Sequence, residues 1–471
     1  MAESRTSSVG DRRGIAGLIG AAAVAALILA LPLPAGLSPE GRRMGVVFAI
    51  TLILWVTEAI PIAVTALLGL ALQPLFGVAT LQAAFTSFIS TVFFFVIAMF
   101  CIAQAFISTG LDRRFALWLL ARAGTDSRRV LLAFLVGPAV LSSVVSDVPC
   151  TAIFMAVAVG LLDRVGAKPG ASRFGQAVMM GIPIAAFIGG VATPAGSSIN
   201  VLALDFIQRY GHVTVPFLYW MAIGIPLAVL LVPVAWWALL RFYPPEMERI
   251  DLGDLVAERA RLGPLTAPEK KVLVILGLML TFWILNTWFK QIDVALVAVL
   301  GATTMFLPGI RLFTWKEVER GTGWEVLLMV GGVTSLGAAA VETGLAKWVV
   351  DAALGGLGQG SPWLIVAGIS TFTVLIHLIL TIVPVIVAVV IPPITLLAAE
   401  AGHNPALYAL PVAFTASCAF LLPLDAVPLV TYAKGYYRML DMLKPGIVIS
   451  LAWIVVMTGL MVVLGPALGF F

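Results

Sequence analysis

Long apolar segments separated by short polar stretches run along almost the whole of this chain of 471 residues. The apolar segments lie at about 14–34, 43–60, 62–78, 88–110, 130–163, 176–208, 215–240, 272–289, 291–308, 325–343, 362–399, 406–433 and 446–468. A membrane-spanning helix needs about 20 apolar residues, because a helix rises about 1.5 Å per residue and the hydrocarbon core is about 30 Å thick. The pattern therefore predicts an all-α polytopic membrane protein.

Two of these segments have an unusual length and a proline near the middle. Residues 130–163 contain Pro149 and residues 362–399 contain Pro384. Each segment is too long for one span and too short for two spans with a loop between them. A re-entrant hairpin fits this length, provided that the backbone at its tip lines a cavity or contacts protein rather than lipid. A pair of ordinary kinked helices is the alternative.

The two halves of the chain share motifs in the same order. The matching pairs are Thr109-Gly110-Leu111 with Thr343-Gly344-Leu345, residues 146–149 with residues 381–384, and residues 193–196 with residues 422–425. This order predicts a duplicated unit. The last pair interrupts an apolar segment in each half, and paired broken helices in corresponding halves indicate a transporter binding site near the membrane midplane.

Charge and composition narrow the interpretation. Hydrophobic residues make up 61% of the chain and charged residues 11%, whereas soluble domains contain about 25% charged residues. A water-soluble enzyme is therefore excluded. The basic residues form no cluster that would favour nucleic acid.

The distribution of basic residues also predicts a topology in the cell (inner) membrane. With a cytoplasmic N-terminus and hairpins that do not cross, 23 of the 28 lysines and arginines fall in cytoplasmic segments, as the positive-inside rule requires. The exceptions are Arg42, Arg43, Arg209, Lys290 and Lys347. This arrangement needs about eleven transmembrane helices, places the C-terminus outside and makes the second repeat inverted relative to the first.

Several motifs resemble those of the divalent anion:sodium symporter family, the bacterial relatives of solute carrier family 13. Residues 55–61 (WVTEAIP) resemble an early signature of the family, and residues 189–196 followed by Asn200 resemble its first broken helix. The later matching positions are Trp324, Gly331-Gly332, Leu336-Gly337, Thr343-Gly344-Leu345, Leu422-Pro423, Gly435-Tyr436 and Asp441-Met442. The resemblance runs from about residue 45 to residue 470.

The resemblance implies a homodimer in the lipid membrane, in which each protomer has a scaffold domain and a transport domain that moves as an elevator. It implies Na⁺, with H⁺ as the alternative, as the coupling ion, and no organic cofactor. The implied divisions are a cytoplasmic N-terminal tail (1–13), scaffold helices 1–4 (14–125), a first transport-domain segment (126–242), a cytoplasmic loop (243–271), further scaffold helices (272–355) and a second transport-domain segment (356–471).

The chain departs from the family at the hairpin tips. Family members carry a Ser-Asn-Thr triplet at each tip, whereas this chain has Ser146-Asp147-Val148 and Thr381-Ile382-Val383. By the resemblance, we expect the substrate at these triplets and at Ser197, Ser198 and Ala426. Because both asparagines and both threonines are missing, the ordinary dicarboxylate site is not complete here.

The resemblance also implies a first Na⁺ site at Ser142, Ser146, Asp147 and Gly196. Ser143 and Asn200 add further oxygen atoms nearby, and Na⁺ in transporters is held by oxygen ligands at broken helices. The alternative is structural: the serines satisfy the backbone at a helix break, and Asp147 caps a helix.

His377 and Asp425 occupy the positions that the resemblance assigns to the second Na⁺ site. Ionisable residues inside a membrane are costly and indicate function, and histidine titrates near neutral pH. We therefore expect a fixed or protonatable His377–Asp425 pair that replaces the second Na⁺. A buried ion pair without a transport role is the alternative.

These features predict a secondary active transporter for a small organic anion, coupled to Na⁺, to H⁺ or to both. Because Asp147 and Asp425 add negative charge, a monoanion or zwitterion is as reasonable a substrate as a dicarboxylate. A sodium-independent exchanger is a further alternative, and an ion channel is a remote one. The sequence lacks metal-ligand spacing and a Ser/His/Asp constellation, so we do not expect an enzyme.

Overall fold

The computed structural model describes residues 3–251, 253–289, 291–354, 360–378, 380 and 382–470, with the backbone alone for residues 3–13, 254, 256, 353 and 354. These residues form 22 α-helices, and this region of the chain contains no β-strand. The expected all-α class is therefore confirmed.

The first half of the chain contains eleven helices. They are α1 (Glu3–Ala30), α2 (Pro39–Thr57), α3 (Ile62–Leu75), α4 (Leu81–Phe88), α5 (Thr91–Thr109), α6 (Leu111–Ala123), α7 (Ser127–Ser142), α8 (Asp147–Arg164), α9 (Arg173–Gly190), α10 (Ser198–Gly211) and α11 (Phe217–Phe242).

The second half contains another eleven. They are α12 (Gly253–Arg261), α13 (Ala267–Leu285), α14 (Val294–Thr304), α15 (Trp315–Gly321), α16 (Trp324–Glu342), α17 (Leu345–Leu354), α18 (Pro362–Ile376), α19 (Val383–Glu400), α20 (Pro405–Thr415), α21 (Ala426–Tyr432) and α22 (Leu443–Leu464).

Five segments of the described chain are long and apolar enough to cross a membrane. They are Leu81–Thr109, Phe217–Phe242, Trp324–Glu342, Val383–Glu400 and Met439–Leu464. Five further apolar helices have 10–17 residues, among them Gly14–Ala30 and Pro362–Ile376. A multi-pass membrane protein is thus confirmed, and the number of eleven spans stays a prediction.

The helices of the two halves follow the same order. In α2–α11 and again in α13–α22, a helix pair precedes a short helix, a long helix, an amphipathic helix, a two-helix hairpin, a broken helix and a long final helix. The packing is also reciprocal, because α3 packs against α16 while α14 packs against α5. This order extends the three matching motifs to ten elements in each half.

Two amphipathic helices were not predicted from the sequence. α6 and α17 directly follow the two Thr-Gly-Leu motifs, and the glycine of each motif is left-handed, with φ of 73° at Gly110 and 77° at Gly344. A left-handed glycine ends the preceding helix and redirects the chain. α6 and α17 are short and carry charged residues, so hydrophobicity alone assigned them to polar connections.

Hydrogen bonds between loops show that the connections between helices fall into two groups, one on each of two faces. On one face, the Tyr243 hydroxyl donates to the Asp441 carbonyl at 2.7 Å, and Glu246 accepts hydrogen bonds from the Ser172 hydroxyl and the Phe174 amide. Burial raises the pKa of Glu246, but these hydrogen bonds lower it more, so its pKa lies below the usual value. All these residues belong to segments predicted to be cytoplasmic.

The opposite face contains the segments predicted to be external. The Ser38 hydroxyl donates to the Thr343 carbonyl at 2.8 Å, and the Asn404 side chain donates to the Gly469 carbonyl at 2.8 Å. The contacts therefore agree with the grouping of loops that the basic residues indicate. Which face meets the cytoplasm stays a prediction.

The loop at 243–271 is fastened to α6 by a buried ion pair. The guanidinium of Arg114 lies 2.5 Å from the Glu269 carboxylate, whose side chain is 3% exposed. Arg114 also donates to the carbonyls of Gly263 at 2.7 Å and Leu262 at 3.1 Å. A buried charge requires such partners, and these fix the end of the loop where α13 begins.

Candidate functional site

Two helix pairs and two helix breaks occupy the positions that the sequence predicts. α7 and α8 pack against each other and form the first hairpin, with its tip at residues 143–146. The second predicted hairpin consists of α18, which ends at Ile376 and packs on α20 and α22, and α19, which begins at Val383 and packs on α10 and α20. The first break lies between α9 and α10, where residues 194–196 form a 3-10 turn, and the second lies between α20 and α21.

The halves interlock at these elements. α10, the C-terminal portion of the first broken helix, packs against α19 of the second hairpin, and α21 packs against α8 of the first hairpin. Asp147 begins α8 and Asp425 caps α21, so the packing of α21 on α8 places one carboxylate of each half on neighbouring helices. The fold therefore brings the candidate residues of both halves towards one region.

The first tip closes directly onto the first break. The Ser142 hydroxyl donates to a carboxylate oxygen of Asp147 at 2.5 Å, and the Thr193 hydroxyl donates to the Ser143 carbonyl at 2.6 Å. A Cβ atom at Gly190 would overlap this carboxylate, and one at Gly196 would lie 2.9 Å from the Ser142 carbonyl oxygen. Both glycines are therefore required for the close approach of the break to the tip.

Asn200 organises the break and leaves one oxygen unused. Its amide nitrogen donates to the carbonyls of Gly190 at 2.7 Å and Thr193 at 2.9 Å. Its amide oxygen is buried and has no hydrogen-bond partner among the described residues. Because a buried polar atom without a partner is costly, this oxygen is a candidate cation ligand beside Ser142 and Asp147.

The remaining candidates in the first half have mixed environments. The Ser143 hydroxyl donates to the Val140 carbonyl at 2.7 Å, and Ser197 caps α10 by accepting from the Ile199 amide at 3.4 Å. Both serine side chains thus bond to backbone groups near the helix break, as expected if their role is structural. Ser146, Val148 and Ser198 are half-buried at the tip and at the start of α10.

The candidates at the second tip are less polar. Ile382 is half-buried, Val383 is fully buried and Ala426 is exposed at the start of α21. Thr381 lies outside the described residues. Because Val383 is enclosed by protein, it supports the tip and does not line an open substrate site.

His377 and Asp425 do not form the expected direct pair. Both residues are described, and neither a hydrogen bond nor an ion pair joins them. A carboxylate oxygen of Asp425 instead accepts from the Val427 amide at 3.0 Å and caps α21. His377 ends α18, and its buried Nε2 has no partner in the described region of the chain. The pairing was wrong as a contact, and the role of either residue in coupling stays a prediction.

His377 faces a narrow cavity of about 10 Å³ at the second break. The cavity is lined by Val374, His377, Leu378, Cys418, Ala419, Leu421, Leu422 and Leu424. A space of this size holds at most one water molecule. Asp425 does not line this cavity, and its carboxylate accepts from the N-terminus of α21 instead.

The sequence interpretation missed one further candidate, Thr151. Its hydroxyl is fully buried without a partner among the described residues, and it follows Asp147 by four positions on α8. Residues four apart lie on the same face of a helix. The four-residue spacing from Asp147 was therefore the sequence signal that could have identified Thr151.

Comparison with known proteins identifies the family. The model of the sodium:sulfate symporter transmembrane region matches residues 13–471. The chain belongs to this family. The predicted resemblance to sodium-coupled anion symporters is therefore confirmed at the level of the family.

Relatives with similar sequences include transporters. A "membrane protein" of Cupriavidus necator is 29% identical over 433 residues, which cover 87% of this chain and 84% of the relative. The sodium-dependent dicarboxylate transporter SdcS of Staphylococcus saprophyticus is 28% identical over 484 residues, which cover 96% of this chain and 91% of the relative.

Two solved structures share the fold. The YdaH transporter of Alcanivorax borkumensis has a TM-score of 0.54 at 16% identity and covers 84% of this chain, with 89% of its own chain covered. MtrF of Neisseria gonorrhoeae has a TM-score of 0.51 at 13% identity, with 96% of this chain and 94% of its own chain covered. At these identities the likeness concerns the fold alone.

Two neighbouring glycines predict different consequences of substitution. A Cβ atom at Gly189 would overlap backbone atoms of Ala139, whereas one at Gly190 would overlap the Asp147 side chain. We expect Gly189→Ala to lower the melting temperature of the purified protein. Gly190→Ala should lower it less, because the overlap is with a side chain, but should displace the carboxylate and weaken stabilisation by Na⁺. Gly459→Ala, in open space on α22, is the control. Equal melting temperatures for the Gly189 and control variants would contradict the packing described here.

Proposed function

We propose that the protein is a secondary active transporter that moves a small organic anion across the cell membrane, driven by Na⁺. Membership of the sodium:sulfate symporter family supports this function, as does the similarity to a relative named as a sodium-dependent dicarboxylate transporter. The paired hairpins and helix breaks are the arrangement in which transporters of inverted-repeat construction bind their ligands.

The observation that carries the proposal is the group of oxygen atoms at the first tip. The Asp147 carboxylate, the Ser142 hydroxyl and the unpaired Asn200 amide oxygen lie where α9 is interrupted. Carboxylate, hydroxyl and carbonyl oxygens suit a hard cation. We assign a first Na⁺ to Ser142, Ser146, Asp147 and Gly196, with Asn200 as an additional ligand.

The proposed motion is an elevator. The hairpins and broken helices of both halves interlock through α10 with α19 and α21 with α8, so they form one body that is suited to move as a unit. α1–α6 and α13–α17 would form the scaffold, and we propose that two protomers associate through it. The bound ions and substrate would cross with the moving body.

The substrate is proposed to be a small carboxylate with one negative charge or a zwitterion. Asp147 and Asp425 already place two carboxylates near the site, and Val148 and Ile382 present apolar groups at the tips. A dianion would meet stronger repulsion than a monoanion. Because α21 is capped by the charged Asp425 and α10 by the neutral Ser197, we propose the N-terminus of α10 at Ser197 and Ser198 for the anionic group.

A counterflow experiment tests this substrate class. Proteoliposomes loaded with unlabelled acid would be diluted into labelled monocarboxylates, amino acids and dicarboxylates. We expect exchange of a monocarboxylate or amino acid to be at least about tenfold faster than exchange of succinate, which corresponds to about 1.4 kcal/mol. Exchange confined to divalent anions would contradict the proposed class.

Asp147→Asn tests the first cation site. Removing the charge while keeping the shape should raise the Na⁺ concentration for half-maximal uptake by about tenfold or more, because a charge-assisted ligand is lost. Asp163→Asn is the matched control, since Asp163 lies exposed on the same helix. The Na⁺ dependence of both variants is measured as uptake into proteoliposomes. An unchanged Na⁺ dependence in the Asp147 variant would refute a role of its charge in holding Na⁺.

A second candidate function is sodium-independent anion exchange, in which side chains of the protein replace the second Na⁺ ion. The buried Nε2 of His377, which has no partner among the described residues, favours it, because a buried polar atom without a partner is available to a ligand. Replacing Na⁺ with choline at clamped pH separates the options. Uptake that needs internal substrate but neither ion gradient would indicate exchange.

Variants at the second tip test the same idea. We expect both His377→Ala and Asp425→Asn to change the ion requirement of uptake, because the first removes an unpartnered buried polar group and the second removes an intramembrane charge. Thermal stability of each variant serves as the control for folding. Wild-type coupling and pH dependence in both variants would exclude them from the coupling mechanism.

A further inference from the structure

The two halves of the chain differ where a hairpin helix meets an amphipathic helix. α8 and α19 both have 18 residues and both are followed two residues later by a left-handed glycine, Gly166 and Gly402. Their last residues, Arg164 and Glu400, therefore hold equivalent positions. Arg113 and Lys347 are likewise equivalent, because each is the third residue of its amphipathic helix, α6 or α17.

In the second half, these equivalent positions are joined. The Lys347 ammonium lies 2.7 Å from the Glu400 carboxylate and 3.3 Å from that of Asp351. Behind this contact α19 packs along α16 and α17, and 15 of its 18 residues are buried. The second hairpin is thus held closely against the helices assigned to the scaffold.

In the first half, the same positions flank an open crevice. A space of about 530 Å³ is bordered by α6, α8 and α12, beside the contact of Phe115 with Phe154, and only 7 of the 18 residues of α8 are buried. The crevice extends from Pro149, two residues beyond Asp147, along Ile153 and Ala156 to Arg164 at its mouth. It lies on the face with the loops predicted to be cytoplasmic.

Among the described residues, no ion pair joins α6 to α8 across this crevice. Arg113 and Arg164 both line it, together with the carboxylates of Asp112 and Glu258. Arg113 is engaged by Glu258 of α12 at 2.7 Å, and Arg164 forms no ion pair with any described residue. The remaining charged residue of the lining, Asp112, is on the same helix as Arg113.

We propose that Lys347 and Glu400 form a latch that holds the second hairpin against the scaffold and favours the state with the crevice between α6 and α8 open. The proposal rests on the elevator mechanism proposed above. In an inverted repeat, the alternate state exchanges the arrangements of the two halves. That exchange would break the Lys347–Glu400 contact. The ion pair of the second half therefore favours one resting state, which is inward-open in the predicted topology.

The expected effect of the latch is moderate. The side chains of Lys347 and Glu400 are 44% and 58% exposed, and exposed ion pairs are weak because water and salt screen them. Loss of such a pair should shift the balance between the two states by no more than about fivefold. The latch thus adjusts a resting orientation and still permits the exchange.

A cysteine in the crevice reports the equilibrium. Ala156 is exposed in the crevice, whereas the native cysteines Cys101, Cys150 and Cys418 are buried. Ala156→Cys should therefore react with a membrane-impermeant maleimide in inside-out vesicles above a low background. The full-length protein is used, and no substrate is required.

The latch variants are compared on this reporter background. We expect Lys347→Gln and Glu400→Gln each to lower the labelling rate by about two- to fivefold, with no further decrease in the double variant, because both remove one interaction. Lys347→Arg should keep the original rate. Arg43→Gln is the matched control, since it removes the exposed Arg43–Glu40 pair on the same face, 2.9 Å apart within α2.

Two results would overturn the latch. One is wild-type labelling in both single variants, and the other is a double variant that adds the two single effects as independent contributions. Because labelling does not depend on uptake, a failure to transport any anion would contradict the proposed function while the effect on labelling would still decide whether the latch exists.

Discussion

The polar backbone of the interrupted helices must find partners inside the protein, and the arrangement of the other helices follows from this constraint. A membrane core provides no water for exposed amide and carbonyl groups. At the first break Asn200 donates to two carbonyls, and Trp220 of α11 donates to the Val191 carbonyl at 2.8 Å. At the second break Trp453 of α22 donates to the Thr415 hydroxyl at 3.2 Å. In both halves the final long helix therefore supports the break.

The same constraint explains why function is placed at the breaks. Chain segments that must approach each other closely carry glycine, and Gly224 of α11 and Gly446 of α22 each lie against backbone carbonyls of a break. Once the backbone is satisfied, the oxygens that remain unpaired become available to a ligand. Asn200 shows this division, because its nitrogen holds the break while its oxygen stays free of partners among the described residues.

The sequence predicted the elements whose signals are local. Each proline-centred segment became a pair of helices, and the interruptions at 193–196 and 422–425 became helix breaks. Ser142 contacts Asp147 because both residues flank the first tip. The amphipathic helices α6 and α17 were not predicted, because their charges hide them from a hydrophobicity pattern. The His377–Asp425 contact was wrong because equivalence in a repeat does not determine side-chain direction, and Asp425 caps α21 instead.

A structure of the protein determined in Na⁺ with bound substrate would test the central claim, a cation site at the first hairpin tip, most directly. We expect density for one ion within oxygen-ligand distance of Ser142, Asp147 and Asn200, and its loss when Na⁺ is replaced by choline. The Ser142 hydroxyl should then no longer donate to Asp147, and its oxygen should coordinate the ion. A tip that keeps the direct Ser142–Asp147 hydrogen bond and holds no ion in saturating Na⁺ would contradict the claim.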